Sequence, residues 1–569
     1  MIDMPYLSRR GLLCGGGAML ACQPGAAFAS AADRDRHRPT PSLSGQAITL
    51  SIGKGSLSIE GRMAQAISIN GSVPGPTLRL RQGQKLRLTV INELDEDTSL
   101  HWHGLLLPFQ MDGVPGVSFP GIAARSSFTY EFVVTQTGTY WYHSHSGLQE
   151  MMGCYGAIVI DPAEPAPTAA EHVILLSDHS FVNPARILRN LKAQPGYYNR
   201  QPQTLAGLLG GHGQALTQRL QWARMRMDPT DIADVTGAVM RYLVNGRGAA
   251  DNWTGLFVPG QPLRLRIINA AAMTYFNLRI PGLNLHVVAA DGQDVRPVAV
   301  DELQCGPGET YDIIVTPEAR AYTIAAETMD RSGMARATLA PAPGMAAPVP
   351  PLRKRPLLTM KDMGMDMGSD SAGGSDSPGG GHAMKGMKMR DGSLAPQVAM
   401  GPGVEMINPM PMDRTGDPGI GLDARYVGAS HRVLTYRDLV AQAANPDLRA
   451  PGREIEVHLT GAMDRYMWSM DGKTMQQAHE PIPLRTGERV RFTLINDTMM
   501  AHPIHLHGHL FELVTGHGQF SPRKHTVSVL PGGKVSFDVT AQPGDWAFHC
   551  HLFLHMAMGM MRIVQVRPA

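Results

Sequence analysis

Histidines separated by a single residue occur in four short segments of this sequence. In a β-strand, residues i and i+2 project from the same face, so each pair can hold a metal ion from one wall. Two such walls that face each other would enclose a cluster of ions. The eight histidines of these pairs are His101, His103, His143, His145, His505, His507, His549 and His551.

A second set of metal-binding side chains surrounds the only cysteine in these segments. Cys550 lies between His549 and His551, five residues before His555 and ten before Met560. With His502, these residues offer two imidazoles, one thiolate and a weak thioether, which are the ligands of a blue-copper site. A lone buried histidine is more often structural than a ligand, but these ten histidines are clustered and in phase with internal repeats. His509 lies outside that phase and is expected to be structural, and the role of His382 stays open.

The elements that must position these ligands are indicated by a threefold repeat. Residues 83–92, 260–269 and 487–496 each consist of a glycine turn, an alternating strand and a closing asparagine. Three copies, with short strands between glycine and proline turns, predict three related β domains built as sandwiches or barrels. Histidine pairs follow the first and third copies at the same spacing. Leu278 and Ile280 stand there in the second copy, so the middle domain is expected to lack the site.

Composition excludes several classes of protein. The 569 residues include 51 basic and 49 acidic side chains, a balance that argues against a general nucleic-acid binder. No run of about 18 apolar residues follows the N-terminus, so no integral membrane segment is expected in the mature chain. The 35 methionines and 22 histidines agree with copper binding, because thioether sulfur suits Cu(I) and imidazole suits Cu(II).

We expect β domains at about 45–165, 170–340 and 405–569. The linker at about 341–404 is rich in Pro, Gly, Ser and Met, has no periodicity and is expected to be disordered or loosely held. Residues 183–227 are compatible with one or two helices inserted in the second domain.

The N-terminus is typical of an export signal. Arg9 and Arg10 precede an apolar run, and residues 27–29 form a small-x-small cleavage site, so residues 1–29 are predicted to be a twin-arginine signal peptide. The alternative is a basic tail, and the segment ending at Cys22 weakly resembles a lipoprotein box. The predicted location is the periplasm, with lipoprotein anchoring as a minor alternative.

The four histidine segments resemble the signature segments of the multicopper oxidases. The Met-rich linker, the helical insertion and residues 497–500 before His502 make the sequence most similar to bacterial copper-resistance oxidases of the CopA type. The resemblance implies three cupredoxin-like Greek-key domains and four copper ions. It assigns a type 1 copper to His502, Cys550, His555 and Met560, a type 2 copper to His101 and His505, and a type 3 pair to His103, His143, His145, His507, His549 and His551.

The resemblance also implies a mechanism. Substrate electrons enter at the type 1 copper, pass through Cys550 to His549 and His551, and reduce O2 to water at the other three ions. Asp112 matches an acidic position that would relay protons, although an Asp-Gly turn is the alternative. Some bacterial relatives carry a carboxylate directly after the last type 1 histidine. Met556 stands there in this chain, so a second relay at that position is in doubt.

Three functions compete. A cuprous oxidase of copper resistance is favoured by methionines that crowd a polar linker, where no core needs filling: Met360, Met363, Met365, Met367, Met384, Met387 and Met389. A laccase-like oxidase of phenols or aromatic amines would need an apolar pocket beside His502 or His555. A copper store would not need the complete histidine set. The expected partners are O2, Cu(I) or a small aromatic substrate, and periplasmic copper carriers. Cys154 and Cys305 could form a disulfide or remain buried thiols.

Overall fold

The computed structural model describes residues 41–164, 169–199, 201–225, 227–363 and 390–568. Six sheets pack as three two-sheet sandwiches in chain order, which confirms the predicted all-β architecture. In the first sandwich the sheet β3-β2-β5-β7 faces the sheet β1-β4-β9-β8-β6. Its strands are β1 (Ser42–Ser44), β2 (Ala47–Ile59), β3 (Arg62–Ile69), β4 (Gly75–Arg81), β5 (Lys85–Asn92), β6 (His101–His103), β7 (Ser127–Val133), β8 (Gly138–His143) and β9 (Tyr155–Asp161).

The second sandwich pairs the sheets β11-β10-β13-β18-β15-β16 and β12-β20-β19-β14-β17. Its strands are β10 (Ala170–Ser180), β11 (Met240–Val244), β12 (Trp253–Leu256), β13 (Leu263–Asn269), β14 (Phe276–Arg279), β15 (Leu285–Ala290), β16 (Gln293–Val300), β17 (Glu302–Cys305), β18 (Thr310–Val315), β19 (Tyr322–Thr328) and β20 (Met334–Ala340).

The third sandwich pairs β23-β22-β25-β30-β27-β28, with β21 added beside β30, and β24-β32-β31-β26-β29. Its strands are β21 (Met412–Asp413), β22 (Arg453–Ala462), β23 (Met467–Met470), β24 (Ile482–Arg485), β25 (Arg489–Asn496), β26 (His502–Leu506), β27 (Phe511–Leu513), β28 (Arg523–Lys524), β29 (Thr526–Val529), β30 (Gly533–Thr540), β31 (Gly544–Cys550) and β32 (Met561–Arg567).

The three sequence repeats form the same central strand in each sandwich. Strands β5, β13 and β25 pair in parallel with β2, β10 and β22, and antiparallel with β7, β18 and β30. The closing asparagine fixes the turn that follows: the Asn92 amide donates to three carbonyls, including that of Ile122 at 3.0 Å, and its oxygen accepts the Leu94 N–H. Asn269 and Asn496 make equivalent bonds. The repeat thus sets the path from each central strand to the segment that follows it.

Only β5 keeps the half-buried alternation that the repeat predicts. Strands β13 and β25 are buried on nearly every residue. The polar face of β13 meets the first sandwich, where the buried Arg266 bonds to Thr139 at 2.9 Å and pairs with Asp312 at 3.1 Å and Glu171 at 2.8 Å. Contact between sandwiches therefore turns a polar strand face into an interface.

The insertion in the second sandwich is helical, as predicted, and comprises three short helices. The helices of the described chain are α1 (Pro184–Ala193), α2 (Leu205–Leu209), α3 (Leu216–Arg224), α4 (Ala424–Val427) and α5 (Phe553–Ala557), with 3₁₀ turns at Phe109–Met111, Glu150–Met152, Pro195–Tyr198, Lys361–Met363, Tyr436–Asp438, Met463–Arg465 and Gly518–Phe520. Among the described residues, no helix has the length and apolar character needed to cross a bilayer.

The two ends of the linker are fixed, unlike the loosely held chain that its composition predicts. Arg353 pairs with the buried Glu327 at 2.6 Å and with Glu302, and Leu358 and Met363 are buried against the second and third sandwiches. On the other side, Ala395, Val398, Val404 and Ile407 form a small apolar cluster. A few anchoring side chains suffice to order these ends, and average composition does not reveal them. The argument that the linker methionines have no core to fill is therefore wrong for Met363 and for the half-buried Met360.

The signal peptide expected at residues 1–29, His382 and the remaining linker methionines lie outside the described residues. Cys154 and Cys305 are separate buried thiols, not a disulfide. Cys154 packs in the core of the first sandwich, and the Cys305 sulfur lies 3.5 Å from the carbonyl oxygen of Glu309 in the second.

Candidate metal centre

One candidate metal site joins β26, the end of β31 and α5 in the third sandwich. The Cys550 sulfur lies 3.5 Å from His502 Nδ1 and 3.9 Å from His555 Nδ1, and the two nitrogens are 3.2 Å apart. All three side chains are fully buried. Met560 is also fully buried, and its carbonyl accepts the Cys550 N–H at 3.1 Å. These four side chains thus converge on one point, although the first and the last are 58 positions apart in the sequence.

Other side chains orient the two imidazoles. Thr498 Oγ1 lies 2.7 Å from His502 Nε2, and Asp234 Oδ2 lies 2.6 Å from His555 Nε2. Tyr466 donates to the same Asp234 oxygen at 2.9 Å, while the Trp468 ring stacks on His555 with centroids 3.8 Å apart. With Nε2 of each ring engaged, both Nδ1 atoms face the cysteine sulfur, and holding a ring nitrogen in this way is how proteins aim metal-binding histidines.

The eight paired histidines meet between the first and third sandwiches. Each sandwich contributes two adjacent antiparallel strands: His101 is opposite His143 in β6 and β8, and His505 is opposite His549 in β26 and β31. The equivalent strand β14 of the second sandwich carries the buried Leu278. The paired histidines come from the first and third sandwiches.

Within this cluster, the ligand atoms divide into groups. His103, His143 and His551 form one set of three and His145, His507 and His549 another, each with its atoms within 4.8 Å of one another. His101 and His505 are left, and one ring nitrogen of each groups with a ring nitrogen of His103. The two sets of three coincide with the six histidines that the resemblance gives to a copper pair.

Hydrogen bonds hold five of these rings by Nδ1. His101 and His505 reach the carbonyl oxygens of Asp112 at 2.8 Å and His525 at 2.7 Å. His507 reaches Asp112 Oδ2 at 2.8 Å. The other two are His143, 2.6 Å from Glu150 Oε2, and His549, 2.9 Å from the Cys550 carbonyl oxygen. In each ring Nδ1 is held and Nε2 faces the cluster.

The free nitrogens fit bound cations. Among the described residues, the Nε2 atoms of His101, His143 and His505 and both ring nitrogens of His551 are buried without a hydrogen-bond partner. His507 and His549 place their Nε2 atoms 2.9 Å from each other. Burial and the neighbouring imidazoles lower the pKa of His103, His143, His505 and His507 well below the ordinary value. These rings are therefore neutral and present lone pairs, which is the form that binds metal.

Several residues of the site carry no signal in the sequence. Asp234 lies in the loop between α3 and β11, 321 residues before His555, and Glu150 lies in a 3₁₀ turn. Thr498 lies in the segment before His502, but the sequence alone does not indicate that its hydroxyl contacts the His502 ring. The expectation for His509 is confirmed: its ring bonds to the carbonyl of His507 and the amide of Gln542, so it supports the backbone.

Three β-sandwiches with a Cys–His site beside an eight-histidine cluster define the class of copper-dependent oxidases. The multicopper oxidase family models match residues 51–165, 172–342 and 449–569. The chain belongs to the multicopper oxidases, enzymes that use copper to couple the oxidation of a substrate to the reduction of O2.

Similar proteins agree with this membership. "Copper resistance protein A" of Escherichia coli is 48% identical over 568 residues, covering 92% of this chain and 93% of that protein. "Multicopper oxidase MmcO" of Mycobacterium tuberculosis is 30% identical, covering 98% and 96%. In fold, the chain is similar to the laccase from Botrytis aclada, with a TM-score of 0.61, 21% identity and coverage of 94% and 90%. A multicopper oxidase from Campylobacter jejuni gives 0.57, 19%, 94% and 97%.

Proposed function

We propose that this multicopper oxidase is a cuprous oxidase of bacterial copper resistance, which oxidises Cu(I) and reduces O2 to water. The observation that carries the proposal is a small cavity beside the Cys550 site, whose lining includes Asp234, Met273, Met329 and Met500. Three thioethers are soft ligands suited to Cu(I), and the carboxylate of Asp234 adds negative charge for a cation.

The size of this cavity favours an ion over an organic substrate. Its volume is about 10 Å³, which is close to the space that one water molecule needs. The side chains of Asp234, Met273, Met329 and Met500 are each at most 4% exposed. A phenol ring does not fit, and His502 and His555 are fully buried, so an aromatic substrate would not touch either ring. Laccase-like oxidation of phenols or aromatic amines is the alternative. It would require electron transfer through the residues that bury His502 and His555.

Asp234 connects the cavity to the Cys550 site. One of its oxygens bonds to His555 Nε2, while Oδ1 has no hydrogen-bond partner among the described residues. The loop that carries it is held by the start of the linker, since Leu358 N–H donates to the Pro229 carbonyl at 3.0 Å and Arg355 bonds to Thr230. The methionines of residues 364–389 follow this anchored stretch in sequence, which supports a role in bringing Cu(I) to the cavity.

The proposed ligands of four coppers follow the grouping of the side chains. His502, Cys550, His555 and Met560 would hold type 1 copper, and His101 and His505 type 2 copper. His103, His143 and His551 would hold one ion of the type 3 pair and His145, His507 and His549 the other. When bound, these ions supply one-electron oxidation at the first site and O2 reduction at the cluster. The chain contributes the connection, because Cys550 and its neighbours His549 and His551 place both sites on one short stretch of backbone. A copper store would not need this complete arrangement.

Asp112 is proposed to orient the cluster and relay protons. Its carbonyl accepts from His101 and its Oδ2 accepts from His507 Nδ1, so one residue aims a histidine of the first sandwich and a histidine of the third. Its Oδ1 is buried without a hydrogen-bond partner in the described chain, 3.4 Å from His101 Nδ1. This free oxygen supports a relay, which a simple Asp-Gly turn would not need.

The sequence supports a periplasmic location through its twin-arginine segment, and periplasmic copper carriers are the proposed partners. The test of the substrate is oxygen consumption by the copper-loaded enzyme, measured as kcat/KM for Cu(I) and for an aromatic diamine. The double variant Met329→Leu, Met500→Leu removes two thioethers at nearly constant volume, with the buried Met406→Leu as matched control. We expect the double variant to lose at least tenfold in kcat/KM for Cu(I) and to keep diamine oxidation. An equal loss for both donors would reject the assignment of the cavity.

A further inference from the structure

A cluster of buried charges lies where the second sandwich meets the third. Lys524 of β28 is fully buried, and its Nζ lies 3.1 Å from Asp291 Oδ1 and 3.2 Å from Glu309 Oε1. Asp291 is in the turn between β15 and β16, and Glu309 directly precedes β18. Both carboxylates thus come from the sandwich that carries none of the proposed ligands.

The cluster is adjacent to the eight histidines. Gly308 has a φ of +89°, and a Cβ there would lie 2.9 Å from His551 Cδ2 and 3.2 Å from His103 Cε1, so the backbone next to Glu309 packs against two rings. Asp291 Oδ2 accepts the N–H groups of His525 and Thr526, both at 3.1 Å. The His525 carbonyl and the Thr526 hydroxyl in turn bond to His505 and His103.

The charges of this cluster are unequal: one ammonium faces two carboxyl groups. Burial favours the neutral form of both, but His525, Lys524 and the Thr310 amide together lower the pKa of Asp291. For Glu309, burial outweighs Lys524 and raises the pKa. Glu309 Oε2 accepts the Gly306 N–H at 2.7 Å, and Oε1 faces Lys524. Because a second uncompensated charge beside the Asp291–Lys524 ion pair is costly, burial favours a proton on Glu309.

Glu309 also faces a cavity that is large enough for water. Tyr436 donates to Glu309 Oε1 at 2.7 Å, and both residues line a cavity of about 40 Å³ at the boundary of the two sandwiches. That volume holds roughly three water molecules. Arg414 and Asp417 also line it, and Asp417 is 42% exposed.

We propose that Glu309 is a second proton donor for O2 reduction, in place of the carboxylate that this chain lacks after His555. The proposal rests on the assignment of O2 reduction to the eight-histidine cluster. The O–H bond of the Glu309 acid breaks, and its proton joins an oxygen that the substrate's electrons are reducing to water. Lys524 stabilises the carboxylate that remains until Tyr436 passes on a proton from the water of the cavity and regains one itself.

Several titratable or charged groups surround Glu309 and set its behaviour with pH. They come from the turn after β15, from the residue before β14, from β17, β18 and β28, and from the Tyr436–Asp438 turn: Asp291, Tyr275, Cys305, Tyr311, Lys524 and Tyr436. Burial raises the pKa of the three tyrosines and the cysteine, so they stay neutral near pH 7. Lys524 and Asp291 are ionised and compensate each other. Glu309 is therefore the group of this cluster whose proton can be exchanged.

The test compares the copper-loaded wild-type enzyme with Glu309→Gln and Tyr436→Phe. The matched control is Glu512→Gln, which alters another buried carboxyl that pairs with Arg489. An aromatic diamine is the electron donor, so the result does not depend on whether Cu(I) is the substrate. The first measurement is kcat from pH 5 to 9. The second is the rate at which the diamine, without O2, bleaches the blue absorption band of type 1 copper. The third is the infrared carbonyl band of protonated carboxyl groups.

We expect Glu309→Gln to lose one protonated-carboxyl band and at least tenfold in kcat near pH 7, since general acids contribute about 10²–10⁴-fold and Asp112 remains. Its bleaching rate should match that of the wild type. Tyr436→Phe should keep the band and lower kcat, with the greater loss at high pH. The control should keep wild-type kcat. A wild-type kcat–pH profile in Glu309→Gln overturns the proposal, as does retention of every protonated-carboxyl band. If Glu309→Gln does not bind copper, an unchanged kcat in Tyr436→Phe overturns it instead.

Discussion

The Asp234–His555 contact is the most direct structural link between the proposed Cu(I) cavity and the Cys550 site. Asp234→Asn keeps the size of the side chain and its capacity to accept a hydrogen bond from His555 Nε2. The substitution removes the ionisable carboxyl, whose Oδ2 lies 2.6 Å from the imidazole. Burial raises the pKa of Asp234 to about 7, so the comparison is made at pH 8, where the carboxylate predominates. Any effect can therefore be ascribed to charge rather than to a cavity or a missing bond.

The magnitude follows from the strength of that contact. A buried hydrogen bond to a charged group contributes about 1.5–3 kcal/mol and a neutral one about 1 kcal/mol, so the variant loses about 0.5–2 kcal/mol. A carboxylate favours the more positive, oxidised state of the nearby metal. With 59 mV per tenfold change for one electron, the type 1 potential should rise by roughly 20–90 mV. Cu(I) loses the carboxylate that links the cavity to His555, and kcat/KM for Cu(I) should fall roughly 2- to 30-fold.

The assay measures kcat/KM for Cu(I) and for an aromatic diamine, together with the type 1 potential by spectroelectrochemistry. The diamine does not enter the cavity, so its kcat/KM should stay level or rise with the potential. Asp231→Asn is the matched control, because it removes a buried carboxyl of the same loop that does not bond to His555. Burial raises the pKa of Asp231 to about 8, so this carboxyl too is ionised only toward alkaline pH. A parallel fall for both donors, or a Cu(I) defect as large in Asp231→Asn, would refute the reasoning.

The other predictions concern the copper ligands, the proton relay and the linker. Cys550→Ser should abolish the intense visible band, which arises from sulfur-to-copper charge transfer. Metal analysis of this variant should still find copper in the histidine cluster. One copper or fewer in the fully loaded wild-type protein would contradict the ligand assignment. Asp112→Asn should lower the rate of O2 reduction by roughly 10²-fold or more in stopped-flow experiments. The reduction of type 1 copper by substrate should stay nearly unchanged. An unaltered turnover number across pH would show that Asp112 serves only the Asp-Gly turn. Replacing Met365, Met367, Met384, Met387 and Met389 by serine should lower kcat/KM at limiting Cu(I) and spare diamine oxidation, because tethered soft ligands raise the local Cu(I) concentration; an unchanged efficiency would reject recruitment by the linker.

The strand periodicity and its repetition determined the β-sandwich class, because alternating side chains and a closing asparagine act through neighbours along the chain. The same locality explains the histidine pairs: i and i+2 share a strand face wherever the strand lies. The linker shows the limit of local information. Its composition predicts loose chain, yet Arg353 and Leu358 anchor its start through buried partners that are distant in sequence.

Only the tertiary structure decided which side chains complete the sites. The division of six histidines into two sets of three, the carboxylate of Asp234 on His555 and the cluster of Glu309, Lys524 and Asp291 each join segments that no spacing rule relates. A carboxylate far along the chain has the same local sequence pattern whether it faces solvent or a buried imidazole. Its burial and its partner, which determine its charge and its chemistry, exist only once the sandwiches have packed together.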